Sequence, residues 1–125
     1  MNGNVIPIIT NQNNAQIYAK KIVAGISKFV LKFKVTTNTS VSGYSWYLKM
    51  GFSGVTGDGG PWNLSNNNNN SQQNQIVTVE AIITQDMLNS INSNVNNAGW
   101  WSGGMFGLQG DNVSVESLAI TNAKE

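Results

Sequence analysis

The sequence predicts an all-β chain: an antiparallel β-sandwich of the jelly-roll kind, with one short helix near residues 84–92. Three observations predict it. Apolar and polar residues alternate with period two over two long stretches, Lys28 to Thr36 and Tyr44 to Phe52. β-branched residues crowd a third stretch, Gln75 to Ile83. Segments rich in Gly and Asn separate these runs. Side chains on a strand point to alternate faces, so the alternation marks strands with one buried side. Many strands punctuated by such turns pack as two layers.

In chain order, the first strand is expected at Val5 to Thr10. Pro7 gives it an edge position, because proline has no N–H for a ladder. A short strand is expected at Gln16 to Ala19. In Lys28 to Thr36, Phe29, Leu31, Phe33 and Val35 share the inner face, and Lys28, Lys32 and Lys34 the outer. In Tyr44 to Phe52, Trp46, Leu48 and Met50 share the inner face, with Ser45, Tyr47 and Lys49 opposite. Gly51 to Gln75 reads as a loop, with five of the 13 glycines and an unbroken Asn run from Asn66 to Asn70. Val77, Val79 and Ala81 face inward on the next strand. Thr84 caps a helix of one or two turns, in which Asp86 suits the positive end of the dipole and Leu88, Ile91 and Val95 follow at helical spacing. Asn92 to Gly104 reads as a second loop. Strands at Met105 to Gln109 and Val113 to Thr121 complete the chain. Val113 and Val115 differ in parity from Leu118 and Ile120, so a bulge near Glu116 and Ser117 is needed to turn all four inward.

Length and composition bound the rest. A chain of 125 residues makes one domain, residues 1–125, with a core of its own. Charged residues are 10% of the chain and the net charge is +1. There is no Arg, the usual bidentate reader of phosphates and guanine edges, so the composition speaks against nucleic acid. No apolar run reaches the roughly 20 residues of a membrane span, and Met1 to Asn4 lack the character of a signal peptide. Polarity is supplied by amides and hydroxyls, 20 of the residues being Asn. Such a surface suits a neutral, hydroxyl-rich partner, although biased codon usage also produces Asn-rich chains.

Chemistry has few candidates. Without His, Cys or Arg, acid–base work falls to the carboxylates. A glycosidase needs two of them across a cleft. Asp58 and Asp111 are the one loop pair available, and no spacing supports them, so no catalytic residue is assigned. No cofactor is expected. Gly57 to Gly60 and Gly110 to Asn112 allow a structural calcium ion, but read more simply as Asp-containing turns.

The four tryptophans carry the functional argument. Trp46 alternates with Leu48 and Met50 and belongs to the core. Trp62, Trp100 and Trp101 sit among glycines, outside regular strands. An aromatic ring stacks on the C–H face of a β-configured sugar by dispersion and weak C–H to π attraction. Trp62, Trp100 and Trp101, with Tyr47 from a solvent face, are therefore the expected ligand-binding residues. Coplanar rings would match a flat β-1,4-glucan. The competing assignment makes Trp62 and one of the adjacent pair plugs at the ends of the sandwich. Exposed tryptophans also serve protein interfaces, so an adhesion or structural β-sandwich of phage or cell surface is the alternative.

The segments Ile83 to Ile91 and Gly104 to Leu118, with Leu108-Gln109-Gly110-Asp111-Asn112-Val113 at their centre, resemble the ending of bacterial jelly-roll carbohydrate-binding modules. The resemblance implies a non-catalytic, secreted bacterial module. It implies a polysaccharide partner, cellulose or another β-glucan, and an appended glycoside hydrolase acting on plant cell wall. It implies a monomer, with neither nucleic acid nor membrane as partner.

Overall fold

The computed structural model describes residues 6–37, 46–51, 61–65, 72–96 and 104–123. Its strands are β1 (Ile6–Ile8), β2 (Lys28–Val35), β3 (Tyr47–Gly51), β4 (Asn63–Ser65), β5 (Ile76–Ile82), β6 (Phe106–Asp111) and β7 (Val113–Thr121). Its helices are α1 (Gln12–Lys21) and α2 (Gln85–Val95). One sheet has the order β1-β6-β3-β4 and the other β5-β2-β7, with every named pair antiparallel. The chain is therefore the antiparallel β-sandwich that the alternation predicts.

The alternation decides what lies between the sheets. Phe29, Leu31, Phe33 and Val35 of β2 are fully buried, as are Leu48 and Met50 of β3. Phe106, Leu108 and Val113 join them from β6 and β7. Each large apolar side chain removed from water here contributes about 1.5–3 kcal/mol. Aromatic edges couple the layers. Phe29 meets Phe106 at 5.2 Å and Trp62 at 6.2 Å between ring centroids, both edge-on, the geometry that ring quadrupoles favour.

Among the described residues Pro7 is on an edge strand, paired on one side only, with Gly107. The bulge in β7 is where parity requires it. Lys32 faces Ser117 and Phe33 faces Val115, which leaves Glu116 as the extra residue. Val113, Val115, Leu118 and Ile120 consequently all turn toward the core.

Three expectations are corrected. Gln16 to Ala19 is not a strand but part of α1. The Asn11 side chain accepts a hydrogen bond from Asn14 N–H at 3.0 Å and caps the helix. Ala15, Ala19 and Ile22 then bury one stripe, while Ile17 and Tyr18 stay about half exposed. The second helix is longer than one or two turns and runs three residues past Asn92. Thr84 caps it as expected, accepting from Met87 N–H. Its far end is held by tertiary bonds: buried Asn94 donates to the carbonyls of Gly104 and Met105 at 2.9 and 3.2 Å. Gln12 and Gln16 of α1 both donate to the Val95 carbonyl at 3.0 Å. Finally, the segment read as one loop between Gly51 and Gln75 contains a strand, β4.

Candidate functional site

The outer face of the four-stranded sheet carries a cluster of polar side chains, and register explains how it forms. On β3 the inward residues are Leu48 and Met50, so Tyr47 and Lys49 point to solvent. Tyr47 lies opposite Ser65 on one side and Asp111 on the other. Lys49 lies opposite Asn63 and Gln109. Directly opposed residues have Cβ atoms about 4.5–5.5 Å apart. Six side chains thus form two rows of three across β6, β3 and β4. The third row is Pro7, Gly107 and Gly51, in which both glycines are buried.

Tyr47, Lys49, Asn63, Ser65 and Gln109 line a shallow cleft of about 330 Å³ on this face. That is at the small end of the range for small-molecule sites, ~300–1,000 Å³. The Lys49 ammonium lies 5.8 Å from the Tyr47 ring centroid, within cation–π reach. The cleft thus offers one aromatic face, two amides, a hydroxyl and an ammonium, which together donate and accept without a net anionic charge.

Gly110 lets these rows come together. A Cβ on Gly110 would lie 2.6 Å from the Tyr47 carbonyl oxygen and 2.9 Å from Val113. Any side chain there pushes β6 away from β3. At the end of β6 the backbone turns in a single residue, Asn112, with φ of 56°. Asn is among the few residues that accept this left-handed conformation. Asp111 accepts the Asn112 N–H at 3.0 Å, and the Asn112 carbonyl accepts Thr36 N–H at 2.9 Å. The Gly-Asp-Asn-Val segment is therefore a corner by which the chain leaves one sheet and enters the other.

The sequence-predicted ligand residues fare differently. Tyr47 is on the solvent side of its strand, within the cleft. Trp62 is only 7% exposed and packs edge-on against Phe29. It plugs the core, and its ring is not part of an exposed plane. The reason is β4: Asn63–Ser65 pairs with Tyr47–Lys49, and Met50 N–H donates to the Trp62 carbonyl at 3.2 Å. Trp62 and Leu64 therefore share the inward parity, and Asn63 and Ser65 the outward one. Trp46 is core as expected, tilted against Phe33 at 5.8 Å, and the described residues offer its indole N–H no acceptor. Trp100, Trp101 and Asp58 lie outside the described residues.

Lys49, Asn63, Ser65 and Gln109 were not among the expected ligand residues. The missed signal was parity. Lys49 shares the face of Tyr47, Gln109 alternates with buried Leu108, and Asn63 and Ser65 alternate with Trp62 and Leu64.

Among the described residues no three His, Cys, Asp or Glu side chains gather to hold a metal ion. Among them, too, no helix is long and apolar enough to cross a membrane. Comparison of the chain with protein-family models, with curated proteins and with solved structures returns no match.

Proposed function

We propose that this chain is a non-catalytic binding module for a β-1,4-linked polysaccharide, cellulose or a related β-glucan. In this reading the ligand lies on the outer face of the four-stranded sheet. The observation that carries it is the cleft itself: one aromatic ring beside Asn63, Ser65, Gln109 and Lys49. A sugar's C–H face stacks on Tyr47 by dispersion. The amides and the hydroxyl have the capacity to donate to and accept from equatorial hydroxyls. Trp100 and Trp101 are proposed as further stacking residues. The module would act outside a bacterial cell, as a monomer holding an appended glycoside hydrolase close to plant cell wall, where tethering raises effective concentration.

The test is a retention panel on cellulose, xylan, mannan, xyloglucan, chitin and mixed-linkage glucan. Retention on a β-glucan, insensitive to salt and lost in Tyr47→Ala and Gln109→Ala, is the expected result. If those variants bind like the parent while Trp100→Ala or Trp101→Ala does not, the ligand is not on the sheet face. No retention by the parent chain on any polysaccharide ends the proposal.

One observation favours the alternative of an adhesion or structural interaction domain. Among the described residues β5 is an edge strand, and its Ile76 and Ile82 are 58% and 49% exposed. An unpaired edge with apolar side chains can accept another strand. Concentration-dependent size in light scattering, without polysaccharide retention, would select that alternative.

A further inference from the structure

The two sheets leave an opening along one side of the sandwich. β1 is three residues long and forms the edge of its sheet, while β7 forms the edge of the other. Between them lies an apolar cavity of about 500 Å³, well within the range of small-molecule sites. Ile8 and Ile9 contribute from the β1 side, Leu118 and Ile120 from β7, and Phe106 from β6. The long polar side chains at the cavity come from one helix. Tyr18 and Lys21 of α1 are three residues apart and so share a face. The Lys21 ammonium is 5.9 Å from the Tyr18 ring centroid. Among the described residues no carboxylate pairs with it, the ion pair formed being Lys34 with Glu116.

A second observation points to the same place. Ile9 has φ of 56°, a left-handed conformation that is costly for a β-branched residue. It is held there by its surroundings. Met105 N–H donates to the Ile8 and Ile9 carbonyls at 2.8 and 3.1 Å. Gly104 approaches so closely that a Cβ would lie 2.8 Å from Pro7 and 2.9 Å from Ile8. Strained residues held by their surroundings cluster at ligand sites, and this one lines the cavity.

We infer that the cavity binds one amphipathic carboxylate, a linear acyl chain with its head at the Lys21 ammonium and the Tyr18 hydroxyl. The tail lies among Ile8, Phe106, Leu118 and Ile120. At roughly 30 Å³ for each water-sized group, the volume limits the occupant to about 16 such groups. With the mouth left to the head group and water, a chain of about ten carbons fits. A sugar would leave this apolar wall without a matching surface, so the site is separate from the cleft on the sheet face.

The experiment titrates the full chain with decanoate, 1-decanol and decyltrimethylammonium, each below its micelle concentration, by calorimetry and NMR. Decanoate binds one-to-one and saturably, with shifts confined to Ile8, Ile9, Tyr18, Phe106, Leu118 and Ile120. Decanol binds about tenfold more weakly, and the cation more weakly still. Lys21→Met lowers decanoate affinity about tenfold and leaves decanol affinity unchanged. Leu118→Trp fills the cavity and removes both; should that variant fail to fold, the Lys21→Met comparison still decides. Polysaccharide retention is unaffected by saturating decanoate. The assignment is overturned by an absence of saturable decanoate binding, by equal affinity for the anionic and cationic heads, or by competition with polysaccharide.

Discussion

On the three-stranded sheet, the solvent side carries Lys28, Lys32 and Lys34 along the central strand, with Glu80 on one neighbour and Glu116 on the other. On the four-stranded sheet, the equivalent side carries Tyr47 and Lys49 along β3, flanked by Asn63, Ser65, Gln109 and Asp111. The two faces have the same pleat and opposite chemistry. The first mixes charge with the exposed Ile76 and Ile82, opposite Lys34 and Lys28, and its ion pair is loose: Lys34 Nζ lies 3.5 Å from Glu116 with both side chains about 40% exposed. Such pairs contribute ~0–1 kcal/mol, so their value is solubility and protection of an open sheet. Among the described residues the second face has one aromatic ring and groups that both donate and accept. Such groups suit a hydroxyl-rich ligand as well as water. The contrast places the amide and aromatic side chains on one face of the sandwich and more of the charge on the other.

The largest expected effect tests what underlies both faces. Phe29→Ala removes the ring that joins β2 to Phe106 and Trp62 and should cost about 3–5 kcal/mol in urea unfolding. A loss below about 1 kcal/mol would mean that these aromatic contacts do not couple the layers. Next, Gly110→Ala should destabilise by about 1–3 kcal/mol as β6 moves off β3. It should also weaken polysaccharide retention in the fraction that remains folded. Unchanged retention would show that the spacing of the Tyr47 and Gln109 rows is irrelevant to the ligand.

Tyr47→Ala sharpens the comparison further. Its ring is on the solvent side, so unfolding should shift by less than about 1 kcal/mol. Affinity for a soluble β-glucan should fall about tenfold, equivalent to ~1.4 kcal/mol. The smallest effect belongs to the opposite face. Converting Lys28, Lys32 and Lys34 together to Gln should leave stability within about 0.5 kcal/mol per site and glucan affinity unchanged. Loss of retention in that triple variant, with Tyr47→Ala binding normally, would exchange the roles of the two faces.

Much of the fold was legible because strand alternation is a local signal. Phe29 to Val35 and Leu48 to Met50 declare their buried face in a handful of residues. Even the bulge at Glu116 follows from a parity conflict between Val115 and Leu118. α1 was less legible. Ile17 and Tyr18 favour a strand in a four-residue window, and only the wider spacing of Asn11, Ala15, Ala19 and Ile22 discloses the helix. The full length of α2 is hidden in the sequence for a different reason. Its Asn-rich end has weak helix propensity, and the bonds that support it come from Gly104, Met105, Gln12 and Gln16.

For the site, the sequence by itself determined that Tyr47 lies on a solvent face, that Trp46 is core, and that the surface would be amide-rich and nearly uncharged. Those follow from composition and period two, which need no knowledge of partners. Tertiary structure decided which neighbours Tyr47 has. Asn63, Ser65, Gln109 and Asp111 reach it only through strand register, a property of pairs of strands and of no single segment. It also decided the fate of Trp62. A tryptophan after two glycines and a proline looks exposed, but pairing of the next three residues with β3 turned its ring inward, where burying the indole outweighs leaving it to water.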